Sequence, residues 1–399
     1  MKDTVAKTGS DLNRVSDLEI RYVMEALNNQ FSNSKYGGMV RRFEEAFAAV
    51  FGVRYAIAQV NGTATLHSAL AAMGVGPGDE VIVPSLTMMS TCFAALQANA
   101  VPVFADVNRR SFTIDPASVE SCITQKTKAI ITVSLFGLSP DMDPIMALAR
   151  KHNIYVIEDN AQCYLGSYKG RLAGTIGHMA SYSLQISKHI TCGEGGVLIS
   201  NDELLAENAR RFGSLGYASV GASASQGKVR REVIQDPNYE RHSTMGWNYR
   251  LAEPLAAIAL AQTERMRELV DQRVKVAEAY AQAHKGCDWL VPQLVGADYT
   301  HSWWTYVLAL ENGGRFTWYD FRNKYVEFGG DGIYATWQLN HLEPALRGKK
   351  LAWQTFERGL CPVAESIQPR LLQFKTNYLD MASAERQADV LRRTIAFFG

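Results

Sequence analysis

This 399-residue chain is short of cysteine, of net charge and of long apolar runs, and each shortage removes a class of function. The six cysteines, Cys92, Cys122, Cys163, Cys192, Cys287 and Cys361, include no CxxC pair, so neither a zinc motif nor a dithiol redox motif is expected. They read as reduced, mostly buried thiols of a cytosolic protein. Lys and Arg number 41 against 40 Asp and Glu, a net charge of +1. That balance gives no support to nucleic-acid or anionic-membrane binding, although Lys228-Val-Arg-Arg231 forms a local basic cluster. No apolar run is long enough to cross a membrane, and Met1-Lys-Asp-Thr-Val-Ala-Lys7 lacks the apolar centre of a signal peptide. A cytoplasmic location is therefore expected. The chain has no internal repeat, no low-complexity tract and no Walker-type Gly-Lys-Ser/Thr. Gly74-Val-Gly-Pro-Gly-Asp79 resembles a dinucleotide loop, but it follows a helical pattern and precedes a strand, the reverse of the order that fingerprint needs, and reads as a turn.

What the chain does have is length for two domains and an ordinary globular composition, 47% hydrophobic and 20% charged. From about residue 40 to 215, strand-like runs alternate with helical patterns. The clearest strands are Glu80–Pro84, Val101–Ala105, Ala129–Ser134, Ile154–Ile157 and Val197–Ser200, and helices are predicted over Thr63–Met73 and Pro144–His152. The alternation implies an α/β fold, a largely parallel sheet with helices on both faces, whose ligands bind beyond the carboxyl ends of the strands. From Glu253 to about His284 the pattern is strongly helical, one long helix or two in series. Beyond it, with Trp303–Leu310 as a strand, lies a smaller α+β unit. Residues 217–244 lack periodicity and read as a long surface loop of the kind that is often functional.

Lys188 carries the most information. It lies in Ser183-Leu-Gln-Ile-Ser-Lys-His-Ile-Thr-Cys-Gly-Glu-Gly-Gly196, between the apolar segment Met179–Leu184 and a glycine-rich turn. A lysine held at fixed depth beside closely packed backbone suits an amine that forms a Schiff base with an aldehyde cofactor and then moves protons. Asp159 ends another predicted strand, where a carboxylate points into the ligand crevice and can keep a pyridine nitrogen protonated. Taken singly it would read as a helix cap or a surface carboxylate; Lys188 downstream favours the ring partner. Asn61-Gly-Thr-Ala-Thr65 opens a predicted helix after Tyr55–Ala58, an arrangement that offers free N–H groups to a phosphate but also occurs at any capped helix start. Ser183 can add a hydroxyl to the same phosphate.

These parts together resemble the sugar aminotransferases of the DegT/DnrJ/StrS type. The resemblance runs from about Phe43 through Gln262 and more weakly to the end. It is carried by Phe43-Glu-Glu-Ala-Phe-Ala48 with Asn61-Gly-Thr-Ala64, Val81-Ile-Val-Pro-Ser-Leu-Thr87, Glu158-Asp-Asn-Ala-Gln162, Ser183–Gly196, and Gly246-Trp-Asn-Tyr-Arg250 leading into Ala256–Gln262. It implies the type I fold of pyridoxal-phosphate enzymes: a mostly parallel, seven-stranded sheet sandwiched by helices over 15–255, a smaller α+β domain over 256–399, and an N-terminal arm over 1–14. It also implies pyridoxal 5'-phosphate cycling through pyridoxamine 5'-phosphate, an amino-acid donor such as L-glutamate or L-glutamine, a sugar or cyclitol acceptor in amino-sugar biosynthesis, and a homodimer with shared active sites.

The residue roles follow from the same resemblance. Lys188 would be the Schiff-base lysine and proton carrier, Asp159 the pyridinium partner, and Gln162 a neighbour of the ring and its phenolic oxygen. Thr63, Ala64 and Ser183 would hold the phosphate, and Asn248 would reach the phosphate of the neighbouring subunit's cofactor. Met88 stands where the family usually has an aromatic residue stacking on the ring. Gln185 replaces the usual histidine of Ser-Phe-His, as in a branch that includes aminocyclitol and unusual-sugar aminotransferases. Tyr36, Arg241, His242, Trp337 and His341 lie in segments that approach the active-site mouth in the family, although structural or solvated roles suit each of them as well. His189 would pack behind the lysine. Sugar dehydratases of the same fold carry histidine in place of the lysine, so Lys188 argues against that activity.

Overall fold

The computed structural model describes residues 12–32, 38–223 and 229–399. Its larger sheet has seven strands in the order Tyr55–Gln59, Gly196–Ser200, Met179–Ser183, Tyr155–Asp159, Thr127–Val133, Glu80–Pro84 and Val101–Ala105. Only Gly196–Ser200 is reversed, pairing antiparallel with both of its neighbours. The other six run the same way, so Gln59, Pro84, Asp159 and Ser183 all end at one edge of the sheet, and the reversed strand begins there at Gly196. Burial on both faces explains why these strands are nearly continuous apolar runs.

Alternation along each strand sends side chains to two separate cores. Ile57, Val83, Ile131, Ile157 and Leu198 pack under helices Gly62–Ala72, Ser90–Gln97 and Glu203–Phe212. On the other face, Ala56, Ala58, Ala180, Tyr182 and Ile199 pack against helices Met39–Phe51 and Glu253–Glu264, while Ile82, Ile130 and Val156 meet Met142–His152.

The helical stretch after residue 252 is two helices in series, Glu253–Glu264 and Met266–Ala283. At the break, the Arg265 guanidinium donates to Glu19 and to the Asn13 carbonyl. Ala256, Ala257 and Leu260 lie in the core of the larger sheet, so by packing the first of these helices belongs with the first unit rather than with the region after 255. Val276, Ala277 and Tyr280 of the second helix pack instead on the smaller antiparallel sheet of Leu290–Pro292, Thr305–Leu310, Leu371–Lys375 and Tyr334–Ala335. The helix Met266–Ala283 thus spans both units.

The Phe43–Ala48 block is structural. Glu44 accepts both terminal nitrogens of Arg210 at 2.9 and 2.8 Å and the Ala58 N–H at 2.8 Å. This buried fork ties helices Met39–Phe51 and Glu203–Phe212 to the edge strand. Removing one partner strands a buried charge. Glu44→Ala is therefore expected to cost about 3–5 kcal/mol of stability, read as a lowered urea midpoint; a loss below about 1 kcal/mol would mean that solvent screens the pair.

Candidate active site

The carboxyl ends of the strands open into a cavity of about 460 Å³. Thr63, Met88, Asp159, Gln162, Ser183, Gln185, Lys188 and Trp337, which come from separate parts of the chain, all line it. Sequence separation of this kind is bridged by the parallel sheet, which brings successive strand ends side by side.

The turn carrying Lys188 is pinned at several points. Leu184 N–H donates to the Gly195 carbonyl at 2.8 Å, and Lys188 N–H to the Gln185 carbonyl at 2.9 Å. Gly193 adopts φ +90°, a conformation that glycine accepts at no steric cost. A side chain at Gly196 would meet the Asn61 carbonyl at 2.5 Å, so glycine lets the reversed strand lie against the start of helix Gly62–Ala72. Gln185 serves this turn: its Oε1 accepts from Ser187 N–H and Oγ at 2.8 and 2.7 Å, and it also lines the cavity.

Burial pushes the Lys188 amine down to about 8; Asp159 opposes that shift, Arg273 adds to it, and Glu194 opposes it. The Nζ lies 4.6 Å from the centre of the Trp304 ring. Asp159 is buried, its Oδ2 accepting from Thr91 Oγ1 at 3.0 Å and its Oδ1 from Ala161 N–H at 3.1 Å. Burial raises its pKa, and the two hydrogen bonds and Lys188 resist that rise. Among the described residues Asp159 has no ion-pair partner within salt-bridge distance. Gln162 Oε1 accepts from Phe136 N–H at 2.8 Å, which leaves its amide nitrogen as the end available to the cavity.

At the start of helix Gly62–Ala72, Asn61 is the cap. Its Oδ1 accepts from Ala64 N–H at 2.8 Å, and its carbonyl from Thr65 N–H at 3.2 Å. This corrects the expectation for Ala64, whose buried N–H is consumed by the cap. The free donors are the N–H groups of Gly62 and Thr63, which line the cavity beside Ser183.

Other expected residues lie elsewhere. His341 is fully buried, its Nδ1 2.6 Å from Ser85 Oγ and its Nε2 3.1 Å from Glu365. It props the turn after Pro84 from behind and does not reach the mouth. His242 is exposed, stacked on Tyr217 and donating from Nδ1 to the Leu215 carbonyl. It does not line the cavity of its own chain, and neither do Arg241 or Asn248, both exposed. The described residues of 217–244 are irregular apart from one helical turn, Arg231–Ile234, and none lines this cavity. Tyr36 lies outside the described residues. His189 is fully buried behind the lysine, Nε2 bonded to the Ser302 carbonyl at 2.8 Å.

Sequence reasoning missed Trp304, Arg14 and Arg273. Trp304 lies 5.8 Å from Trp337 with ring planes 11° apart, and the two form an aromatic wall. The tryptophan doublet before strand Thr305–Leu310 was its visible signal. Arg273 sits on the buried stripe Leu269, Val270, Val276, Ala277 and Tyr280, and a charge on an apolar stripe was the signal there.

Three observations fit pyridoxal phosphate: a buried carboxylate with no ion-pair partner among the described residues, free N–H groups at a helix start, and an amine eased toward neutrality. The comparisons with known proteins agree. Residues 13–388 match the model of the DegT/DnrJ/EryC1/StrS aminotransferase family. A GDP-perosamine synthase of Caulobacter vibrioides is 39% identical over 76% of this chain and 79% of that protein. A putative L-glutamine:3-amino-2,3-dideoxy-scyllo-inosose aminotransferase of Micromonospora echinospora is 37% identical over 61% of this chain and 55% of that protein. The solved structure of an aminotransferase from Psychrobacter cryohalolentis gives a TM-score of 0.85 at 30% identity, covering 98% of this chain and 99% of that one.

Because desolvation disfavours the ammonium form, the neutral Lys188 amine predominates above about pH 8, whereas a solvated lysine stays charged to about 10.4. Acetylation of cofactor-free protein over a pH series, followed peptide by peptide by mass spectrometry, is expected to give a Lys188 midpoint near 8. A midpoint equal to that of the surface lysines would contradict the desolvation argument.

Proposed function

This chain belongs to the DegT/DnrJ/EryC1/StrS aminotransferase family, and on that premise we propose that it moves the amino group of L-glutamate, or of L-glutamine, onto a keto carbon of a sugar ring. The enzyme is a pyridoxal-phosphate-dependent sugar aminotransferase. The cofactor supplies an aldehyde carbon that takes up the amine and a ring that accepts electrons.

The chain's own residues do the rest. The observation that carries the reading is the Lys188 amine, desolvated and pushed down to about 8 in the cavity that Asp159 also lines. An amine so placed can take a proton from a carbon acid and return it at a neighbouring atom near neutral pH. Asp159, buried and with no ion-pair partner among the described residues, would hold a protonated ring nitrogen. The N–H groups of Gly62 and Thr63, at the positive end of a helix, and the Ser183 hydroxyl would hold a phosphate. Gln162 would offer its amide nitrogen to a phenolic oxygen, and Met88 would pack against the ring. Trp304 and Trp337 wall off water on the side next to the amine.

Similarity to a GDP-perosamine synthase supports a nucleotide-linked ketohexose as acceptor. Similarity to a putative inosose aminotransferase supports a cyclitol ketone as the second reading, and Gln185 agrees with it. The working unit is a homodimer. The exposure of Met245, Trp247 and Asn248 on one segment supports this, since Asn248 is then free to complete the partner's site.

The test is amine transfer by the full-length enzyme with pyridoxal phosphate and 15N-labelled glutamate, offered a nucleotide-linked 4-ketohexose and an inosose separately. A labelled aminosugar supports the first reading, and a labelled aminocyclitol the second. Transfer to neither acceptor, from neither donor, overturns both. Lys188→Ala is expected to lower turnover by about 10³-fold or more, read as initial rate of product formation.

A further inference from the structure

The carbonyl of Lys188 is gripped from behind by two guanidinium groups. Arg14 Nη2 donates to it at 2.6 Å and Arg273 Nη2 at 2.9 Å. The grip extends to both neighbours: Arg14 Nη1 donates to the His189 carbonyl at 2.6 Å, and Arg273 Nη2 to the Ser187 carbonyl at 2.9 Å. Arg273 is 4% exposed, and its Nη1 is held by the Trp304 carbonyl at 2.7 Å and by Thr376 Oγ1 at 3.2 Å. Its position is therefore set by both structural units at once.

Buried guanidinium groups are ordinarily paired with carboxylates. Among the described residues neither of these arginines has an ion-pair partner within salt-bridge distance. Both line a second cavity, of about 520 Å³, behind the lysine turn. Among the described residues no acidic side chain lines that cavity; Val15, Ile186, Ile258 and Leu269 make it largely apolar. Two positive charges thus stand behind Lys188, received among the described residues by backbone carbonyls and the Thr376 hydroxyl.

We propose that Arg14 and Arg273 are positioning residues for the catalytic lysine: a cationic clamp that fixes the 187–189 turn and disfavours a second positive charge on Lys188 Nζ. The proposal rests on the lysine being the working amine of an aminotransferase.

The groups facing that amine come from several elements. Asp159, at the end of its strand, and Glu194, in the glycine-rich turn, favour the ammonium form. Arg273, from the helix Met266–Ala283, opposes it. His189 is buried behind the turn and held far below its usual pKa, first by burial and then by Arg273, so it stays neutral and adds no charge. Trp304 presents a ring face to Nζ and no titrating group. The balance at Nζ is therefore set first by burial, with Arg273 on the same side and the two carboxylates opposing it. Arginine suits the clamp because its planar fork reaches two carbonyls at once; burial lowers Arg273 to about 9 and Arg14 to about 10, so both carry their charge at neutral pH.

The test separates charge from shape. In the full-length chain without cofactor, the pH midpoint for acetylation of Lys188 is measured for wild type, Arg273→Gln, Arg273→Lys and Arg14→Gln, with folding checked by circular dichroism. Arg273→Gln keeps a hydrogen-bond donor and removes the charge; its midpoint is expected to rise by about one unit. Arg273→Lys keeps the charge, and its midpoint should stay within about 0.3 unit of wild type. Arg14→Gln should rise by less than Arg273→Gln. In the holoenzyme, the acid limb of the kcat/KM profile should move to higher pH in the same order.

Wild-type midpoints in both Gln variants would overturn the proposal, as would an Arg273→Lys midpoint displaced as far as that of Arg273→Gln. If Arg273→Gln does not fold, Arg14→Gln decides, since Arg14 lies in the segment ahead of the first helix and is less buried. The functional reading fails separately, by absence of amine transfer with the acetylation midpoints unaffected.

Discussion

Keeping one amine out of water is the constraint on which the rest of this structure depends. A lysine ammonium in bulk solvent is held charged by hydration, and taking that hydration away is costly unless other charges answer for it. Here the amine of Lys188 is desolvated beside a tryptophan face, and the carboxylates of Asp159 and Glu194 only partly restore its preference for the proton. An amine balanced in this way exchanges protons near neutral pH. The surrounding architecture can be understood as what is needed to hold that balance at a fixed place.

The sheet supplies the place. Six strands deliver their carboxyl ends to one edge, and the single reversed strand returns the chain to that edge immediately after the lysine turn. The glycine-rich sequence after Lys188 follows from this return, because the reversed strand must lie against the Asn61 backbone. The same edge carries the start of helix Gly62–Ala72, whose uncommitted N–H groups at Gly62 and Thr63 give a positive end to the cavity. Positive potential for a phosphate and a buried carboxylate for a ring nitrogen thus line one space. The later part of the chain contributes Trp304 as wall and, from the helix that spans both units, Arg273 as clamp.

Much of this was legible in the chain. The strands Glu80–Pro84 and Val101–Ala105 were located to the residue, since buried parallel strands are unbroken apolar runs with sharp turn signals at their ends. Lys188, Asp159, Thr63 and Ser183 were singled out because each lies at or just past the end of such a run, and all four line the cavity. Ala64 and His341 were placed wrongly for one shared reason: a residue type does not report which of its polar atoms are already spent. The Ala64 N–H is taken by Asn61, and both ring nitrogens of His341 are taken by Ser85 and Glu365. Glu44 shows the converse, a motif residue whose carboxylate serves the buried Arg210 and not the cavity.

The local order of apolar, glycine and polar residues determined, by itself, the alternating α/β architecture, the strand ends and the lysine and aspartate that line one cavity. These are short-range consequences of periodicity and backbone freedom, and a chain carries them in its neighbouring residues. Only the tertiary structure decided that Arg14 and Arg273, 259 residues apart in the numbering, meet at the carbonyl of Lys188. It also decided that Trp304 lies against the amine and that His341 lies behind the cavity. Hydrogen bonds and charge balance depend on distances of a few ångströms between segments remote in sequence, and those distances exist only once both units have packed around the lysine turn.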